Sequence, residues 1–472
     1  MTSLPEIIQG GMGAGVSSWR LANAVAVSGQ LGVVSGTALD QICARRLQDG
    51  DPGWHVRRAL ARFPFPALAQ RVLAAYFIEG GKAPAASYAT LPMHERESPR
   101  ALVELTIVAN FVEVALAREG HDRPVGINYL EKIQLPHLPS LYGALLAGVG
   151  YVLVGAGIPL KFPEAIGRLI AHEPATYPLH VTGAVGGDDT ALHFDPRAFA
   201  EGDLAPLARP KFLAIVSSNV LAATLVKKLG ARLDGMVIEG PSAGGHNAPP
   251  RGKLEFYASG DVRYGERDRV DLAKIRELGV PFWLAGGYGS AEQLRAAQAA
   301  GATGIQVGTA FAFCAESALR ADYKRAIVEQ AVAGKTHVVT DALASPTNFP
   351  FKVARLAGTI SEPEVYRARP RICDLGFLRE AYRTPAGGIG YRCPGEPANV
   401  YVAKGGKPED VAGRKCICNA LLATIGQPQR RNGMLEEAGI VTSGCDLPSV
   451  ARFVPGDSLE YRAADVIEAL LA

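Results

Sequence analysis

Apolar residues in this chain gather in short runs, and most of the runs are separated by stretches with helical period. Runs at 7–9, 31–35, 125–129, 151–154, 212–216, 236–238, 282–285 and 305–307 read as eight strands. They are apolar at consecutive rather than alternate positions, the mark of strands buried on both faces of a parallel sheet. Helix-period stretches at 220–229, 272–278 and 291–300 lie between them. Eight alternating units predict an α/β fold closed as a (β/α)8 TIM barrel, with its chemistry at the C-terminal ends of the strands. An open doubly wound sheet is the alternative.

Two segments interrupt the alternation. Residues 37–120 are too long for one crossover helix and read as a helical insertion. Residues 173–209, with Gly186-Gly187-Asp188-Asp189 between strand-like runs, read as a hairpin. The barrel is expected to occupy 1–364. A C-terminal appendage, richer in cysteine, is expected over 365–472.

The interval between Lys132 and Lys161 carries no charge apart from His137, which invites a membrane reading. Its prolines and glycines argue instead for a short helix capped at Ser140 and then a buried strand. The start, MTSLPEIIQGG, has no basic stretch and no apolar core of a secretory signal, so a soluble, cytoplasmic protein is expected. Hydrophobic residues at 48% can fill a large core, and a net charge of +3 is too slight to point to nucleic acid.

The sixth run leads into EGPSAGGHNAPPR, where Gly240-Pro241 breaks the strand and Gly244-Gly245 precede a lone histidine, His246. Glycines let a flat ligand approach the backbone, and histidine titrates near neutrality, which suits proton transfer. A surface loop with an idle histidine is the plain alternative. The seventh and eighth runs lead into LAGGYGS and IQVGTAF. Backbone N–H groups on Gly286, Gly287, Gly308 and Thr309 would form an anion nest where such barrels hold a phosphate, unless these are only closing turns. The first loop, GGMGAGVS, lacks the third glycine of a dinucleotide fingerprint because Val16 stands there. Asn128, at the end of the third run, is placed either to bond a ring edge or to cap its loop.

Five of seven cysteines lie in the tail. Cys373, Cys393, Cys416 and Cys418 are a conceivable zinc or iron–sulfur ligand set, although their spacing matches no standard signature. Reduced cysteines packing as small hydrophobes are the alternative, and no metal is assigned.

The pieces IIQGGMG, GIN, AGGH, LAGGYG and GIQVGTAF together resemble the nitronate monooxygenase (2-nitropropane dioxygenase) family, in that family's order over residues 6–315. SPTNFPFKVARL and GYRCPGEP resemble its longer branch, related to flavin-dependent, trans-acting enoyl reductases. The resemblance implies FMN as cofactor and His246 as the catalytic residue. It implies phosphate contacts at Gly286, Gly287, Gly308 and Thr309, with Gln306 adjacent. Ring or ribityl contacts are implied at Gly11, Met12 and Asn128, with Gly245 beside the histidine. One departure is the stiff run Asn247-Ala248-Pro249-Pro250 after the histidine, which puts a small nitroalkane in doubt.

Two activities follow from the resemblance. One is oxidation of an alkyl nitronate by dioxygen to a carbonyl compound and nitrite. The other is NAD(P)H-dependent reduction of an enoyl thioester in trans with a fatty-acid or polyketide synthase. The second would bring an acyl carrier protein onto a basic pair such as Lys227/Lys228 or Arg430/Arg431. A flavin-binding subunit without activity is a third reading, against which the retained His246 and both glycine loops argue. A homodimer is the family's habit.

Overall fold

The computed structural model describes residues 4–202, 204–431, 436–456 and 458–472. All eight expected runs form strands: β1 (Ile7–Gln9), β2 (Val33–Ser35), β3 (Gly126–Leu130), β4 (Tyr151–Gly155), β5 (Lys211–Val216), β6 (Gly235–Glu239), β7 (Phe282–Ala285) and β8 (Gly304–Val307). They lie in the order β1-β8-β7-β6-β5-β4-β3-β2, each pair parallel. The free edges meet: Ile8 bridges Leu31, and the Gln9 N–H donates to the Leu31 carbonyl at 2.9 Å. The Gln9 side chain continues the seam, its Oε1 accepting from the Val33 N–H at 3.0 Å. That seam closes the barrel and excludes an open sheet.

Alternation within each strand divides the core. Ile8, Leu31, Val33, Tyr151, Leu153, Leu213, Val237 and Trp283 pack inside the barrel. Their neighbours Ile7, Phe212, Met236 and Phe282 join the larger cluster under the helices. Each such burial contributes about 1.5–3 kcal/mol. Trp283 fills the barrel, and its Nε1 donates to the Pro5 carbonyl at 2.8 Å. Gly235 leaves the space, since a Cβ there would lie 2.9 Å from that indole.

The 37–120 segment folds into helices Leu39–Gln48, His55–Leu60, Pro66–Tyr76 and Arg100–Ala117. Within 173–209, Ala175–Pro178 pairs antiparallel with Ala191–Phe194. Ser140 does not cap its helix; the helix His137–Leu146 starts after Pro136 and holds Ser140 inside. No helix among the described residues is long and apolar enough to cross a membrane.

The tail carries the hairpin Glu380–Arg383/Ile389–Arg392 and the helices Ile417–Thr424 and Ala463–Leu471. Val466, Ile467 and Leu470 of the last helix sit in the main core, and the Tyr461 hydroxyl donates to the Ala310 carbonyl at 2.6 Å. Above the barrel mouth, Val338–Asp341, Phe351–Ala354 and Gly245–His246 form a small antiparallel sheet, which Thr442 extends by a bridge to Val353. The tail thus reaches the end of the barrel where β6, β7 and β8 stop.

Candidate active site

β6 stops at Glu239, and the chain turns at once through an Ala243 N–H to Gly240 carbonyl bond of 3.2 Å. Gly244 has a specific reason to be glycine. A Cβ there would fall 2.7 Å from the Ser443 carbonyl carbon, so the tail passes directly over this loop. Beyond it His246 pairs with Phe351, and the Asn247 N–H donates to the Pro350 carbonyl at 2.9 Å. The histidine therefore sits on a strand rather than on a mobile loop. Its Nε2 is 2.7 Å from Ser345 Oγ, which in turn is 2.8 Å from Thr347 Oγ1, and its ring packs 4.7 Å from that of Phe351.

Burial, with the Lys132 ammonium nearby, pushes the His246 pKa down to about 3. The near-neutral titration expected from sequence is thus corrected, because little solvent remains to stabilise an imidazolium there. At neutral pH this side chain is a neutral hydrogen-bonding group.

His246 and the nine expected cofactor residues, Gly11, Met12, Asn128, Gly245, Gly286, Gly287, Gln306, Gly308 and Thr309, all line one cavity of about 220 Å³. The glycines keep its walls thin. Gly286 and Gly287 have φ of 91° and 81°, the left-handed region where a side chain brings strain. At Gly11 a Cβ would collide with the Asn128 side chain at 2.5 Å. Asn128 Nδ2 donates to the Leu153 carbonyl at 3.1 Å, so its amide orientation is set by the barrel. Gln306 leaves its Oε1 buried without a partner. An unpartnered amide oxygen in a glycine-walled cavity suits a ligand that brings its own N–H groups.

Several groups escaped sequence reasoning. Glu239 lines this cavity and an adjoining chamber of about 220 Å³, and burial raises its carboxyl pKa to about 7. Lys132 donates to the Thr347 carbonyl at 3.2 Å, lies over the Phe349 ring, and is lowered by burial to about 7. Their signal was position only: Glu239 ends a barrel strand, and Lys132 follows one by two residues. Ser345, which bonds His246, begins the SPTNFPFKVARL stretch that carried part of the resemblance but was given no role there, and the tail segment 440–444, which lines the cavity, had no local signal. The tail further occupies Thr309, whose Oγ1 accepts from the Gly444 N–H at 3.0 Å and lies against the Asp446 carboxyl. That leaves the Thr309 backbone, not its hydroxyl, for an anion.

The basic pair Arg430/Arg431 is not a free patch: Arg430 pairs with Glu436, while Arg431 pairs with Asp374 and Glu437. Lys227 and Lys228 lie in the last turn of the helix Asn219–Leu229. The cysteines form no disulfides, and among the described residues no group of three or more His, Cys, Asp or Glu is arranged to hold a metal ion.

The stretch 207–347, which runs from β5 past β8 and includes His246 and both glycine loops, matches the family model described as nitronate monooxygenase. A nitronate monooxygenase of Pseudomonas aeruginosa is 39% identical over 105 residues, 22% of this chain and 28% of that protein. The aligned part is thus under a third of that relative's length. The fold is similar to that of FabK from Thermotoga maritima, at 17% identity over 99% of this chain and 91% of the other, with a TM-score of 0.47. It is similar also to a nitroalkane oxidase from Streptomyces ansochromogenes, at 19% identity over 99% and 95%, with a TM-score of 0.47. The family resemblance first seen in scattered motifs therefore holds over 207–347, the stretch that carries β5 to β8, His246 and both glycine loops.

Proposed function

We propose that the protein is an FMN-dependent oxidoreductase of nitronate monooxygenase type, converting an alkyl nitronate and dioxygen to a carbonyl compound and nitrite. One observation carries this reading: His246 and the glycine loops converge on one cavity inside the stretch that matches the family. FMN fits the residues present. Backbone N–H groups of Gly286, Gly287, Gly308 and Thr309 would hold its phosphate, and the unpartnered Gln306 Oε1 would accept from a ring or ribityl donor. Gly11, Met12, Asn128 and Gly245 would line its ring. When bound, FMN supplies the electron-transfer capacity that no side chain here possesses.

The chain's own part is binding and charge. Neutral His246, held by Ser345, presents an imidazole edge to the cavity and can hydrogen-bond a nitronate oxygen. Lys132, charged below about pH 7, adds positive potential beside it. Glu239, protonated below about pH 7, avoids repelling an anion and can hand over a proton. The tail segment 440–444 supplies part of the cavity wall.

A second reading, reduction of an enoyl thioester by NAD(P)H, is favoured by the adjoining chamber beyond Glu239 and His246. That space exceeds the need of a small nitronate and would take an acyl chain delivered by a carrier protein. Anaerobic mixing separates the two. Bleaching of the flavin absorbance by an alkyl nitronate but not by NADH or NADPH supports the first reading. Bleaching by a pyridine nucleotide alone sinks it in favour of the second, and a colourless protein that binds no FMN sinks both.

A further inference from the structure

Asp446 precedes the short helix Leu447–Phe453, a position where an aspartate ordinarily accepts from the first N–H groups of its helix. Its carboxyl makes no such bond. It lines the cavity instead, between the loops that follow β7 and β8. Oδ2 lies 3.3 Å from where a Cβ on Gly289 would stand, and Oδ1 lies 2.6 Å from where one on Gly444 would stand. The Thr309 hydroxyl, which accepts from the Gly444 N–H at 3.0 Å, is in hydrogen-bond contact with the same carboxyl. A carboxyl group is thus built into the rim of the nest formed by Gly286, Gly287, Gly308 and Thr309.

Little in its surroundings balances a negative charge. Thr309 faces it from the helix after β8, Gly289 from the loop after β7, and Gly444 from the tail. Arg452, on its own helix, is the cation on this side, but its Nη1 donates to the Gly289 carbonyl at 3.0 Å. The neighbouring Cys445 thiol is exposed, and Glu239, the other acid lining the cavity, ends β6. Burial raises the Asp446 carboxyl above the usual carboxylate range, so its neutral form is within reach near neutrality.

A phosphate on the four backbone N–H groups would lie beside Asp446. If the carboxyl were ionised, the two anions would repel, and more strongly there than in open water. A protonated carboxyl removes that repulsion. Its O–H donates to a phosphate oxygen, while its other oxygen still accepts from Thr309. We propose, on the flavin reading of this cavity, that Asp446 belongs to the phosphate seat and takes up a proton when the phosphate binds. FMN is therefore held more weakly as pH rises, by up to about tenfold per unit once the free carboxyl is ionised. Riboflavin, which has no phosphate, escapes this linkage.

Binding itself is the readout. Full-length protein freed of flavin, wild type and Asp446→Asn, is titrated with FMN and with riboflavin at pH 6, 7 and 8, following flavin fluorescence. Asparagine keeps the shape and can still accept from Thr309, but it cannot ionise. The ratio of wild-type to variant Kd for FMN is expected to rise with pH, and the phosphate's own ionisation cancels in that ratio. For riboflavin the ratio is expected to stay level. Calorimetry of the wild type alone, at pH 7.5 in two buffers of different ionisation enthalpy, is expected to show net proton uptake with FMN. A level FMN ratio, a riboflavin ratio that rises equally, or no proton uptake by the wild type overturns the role of Asp446 and leaves FMN as the ligand. Failure of FMN to bind the wild type at any of these pH values overturns that role and the flavin reading together.

Discussion

His246 Nε2 lies 2.7 Å from Ser345 Oγ, and this contact joins two segments ninety-nine residues apart across the barrel mouth. The His246 backbone also pairs with Phe351 and its ring packs against the Phe351 ring, so the serine is one of several restraints on the imidazole. Replacing His246 by alanine is expected to lower kcat/KM by about 10²–10⁴-fold, the usual worth of a positioned acid–base or hydrogen-bonding group. Ser345→Ala should cost far less, on the order of 10-fold. Steady-state kinetics with flavin content measured in parallel checks both. Full activity in His246→Ala would remove the histidine from the mechanism.

Activity should depend on pH near 7, but not through the histidine. As pH rises through about 7, Lys132 loses its charge and Glu239 gains one. The first removes an attraction for an anionic nitronate and the second adds a repulsion, so KM should climb across this range. Glu239→Gln should shrink that climb, while Lys132→Met should raise KM already at pH 6. A KM that is flat across neutrality in the wild type would contradict the arrangement.

Glu239 also makes a statement about stability. Its carboxyl is raised from 4.5 to about 7 by burial, so the folded state holds the proton more tightly than the unfolded chain. Its contribution is complete below pH 4.5 and is lost as pH rises to about 7. Glu239→Gln, neutral throughout, should therefore gain on the wild type between those pH values and keep that gain above them. Urea midpoints of the two proteins at pH 5 and pH 8 measure it, and equal differences at both would refute the buried-carboxyl reading.

The eight strands and the glycine loops were legible because their signals are local. Apolar runs mark buried strands, and glycines at strand ends mark close approach. Thus Gly286, Gly287 and Gly308 were found from their immediate neighbours. The roof was not legible, since no period or spacing tells Ser443 that it will pass over Gly244, or Ser345 that it will meet His246. The histidine's titration was missed for the same reason: its pKa depends on what is packed above it. Ser140 failed as a cap because the helix found its start a turn earlier, after Pro136.

Gly308 offers a clean probe of the phosphate seat. Its φ is −108°, so alanine brings no left-handed strain, and a Cβ would meet only Met12, at 3.5 Å and beyond. Gly308→Ala should fold normally yet retain less FMN, because the added methyl stands where the backbone must approach an anion. Gly287→Ala, at φ 81°, should lose both stability and flavin, with about 1–2 kcal/mol of backbone cost. Flavin-to-protein ratios together with melting curves separate the effects. Undiminished FMN in Gly308→Ala would move the phosphate elsewhere.

The tail and the helical insertion are expected to unfold with the barrel rather than apart from it. Arg45, on the helix Leu39–Gln48, is buried, and its Nη1 donates to the Gln427 carbonyl at 2.6 Å. Gln427 Nε2 answers with a bond to the Ile42 carbonyl at 3.4 Å, and the guanidinium lies 4.9 Å from the Tyr88 ring centre. Arg45→Met keeps much of the volume but strands a buried carbonyl, which should cost about 1.5–3 kcal/mol. If insertion, tail and barrel share one core, that loss appears as a lower midpoint of a single cooperative transition. If the tail were an independent unit, the variant would instead show an early partial transition. Such a transition would open the cavity wall at 440–444 and release flavin before the barrel's helical signal changed. Parallel urea titrations, followed by flavin fluorescence and far-ultraviolet circular dichroism, distinguish the two outcomes.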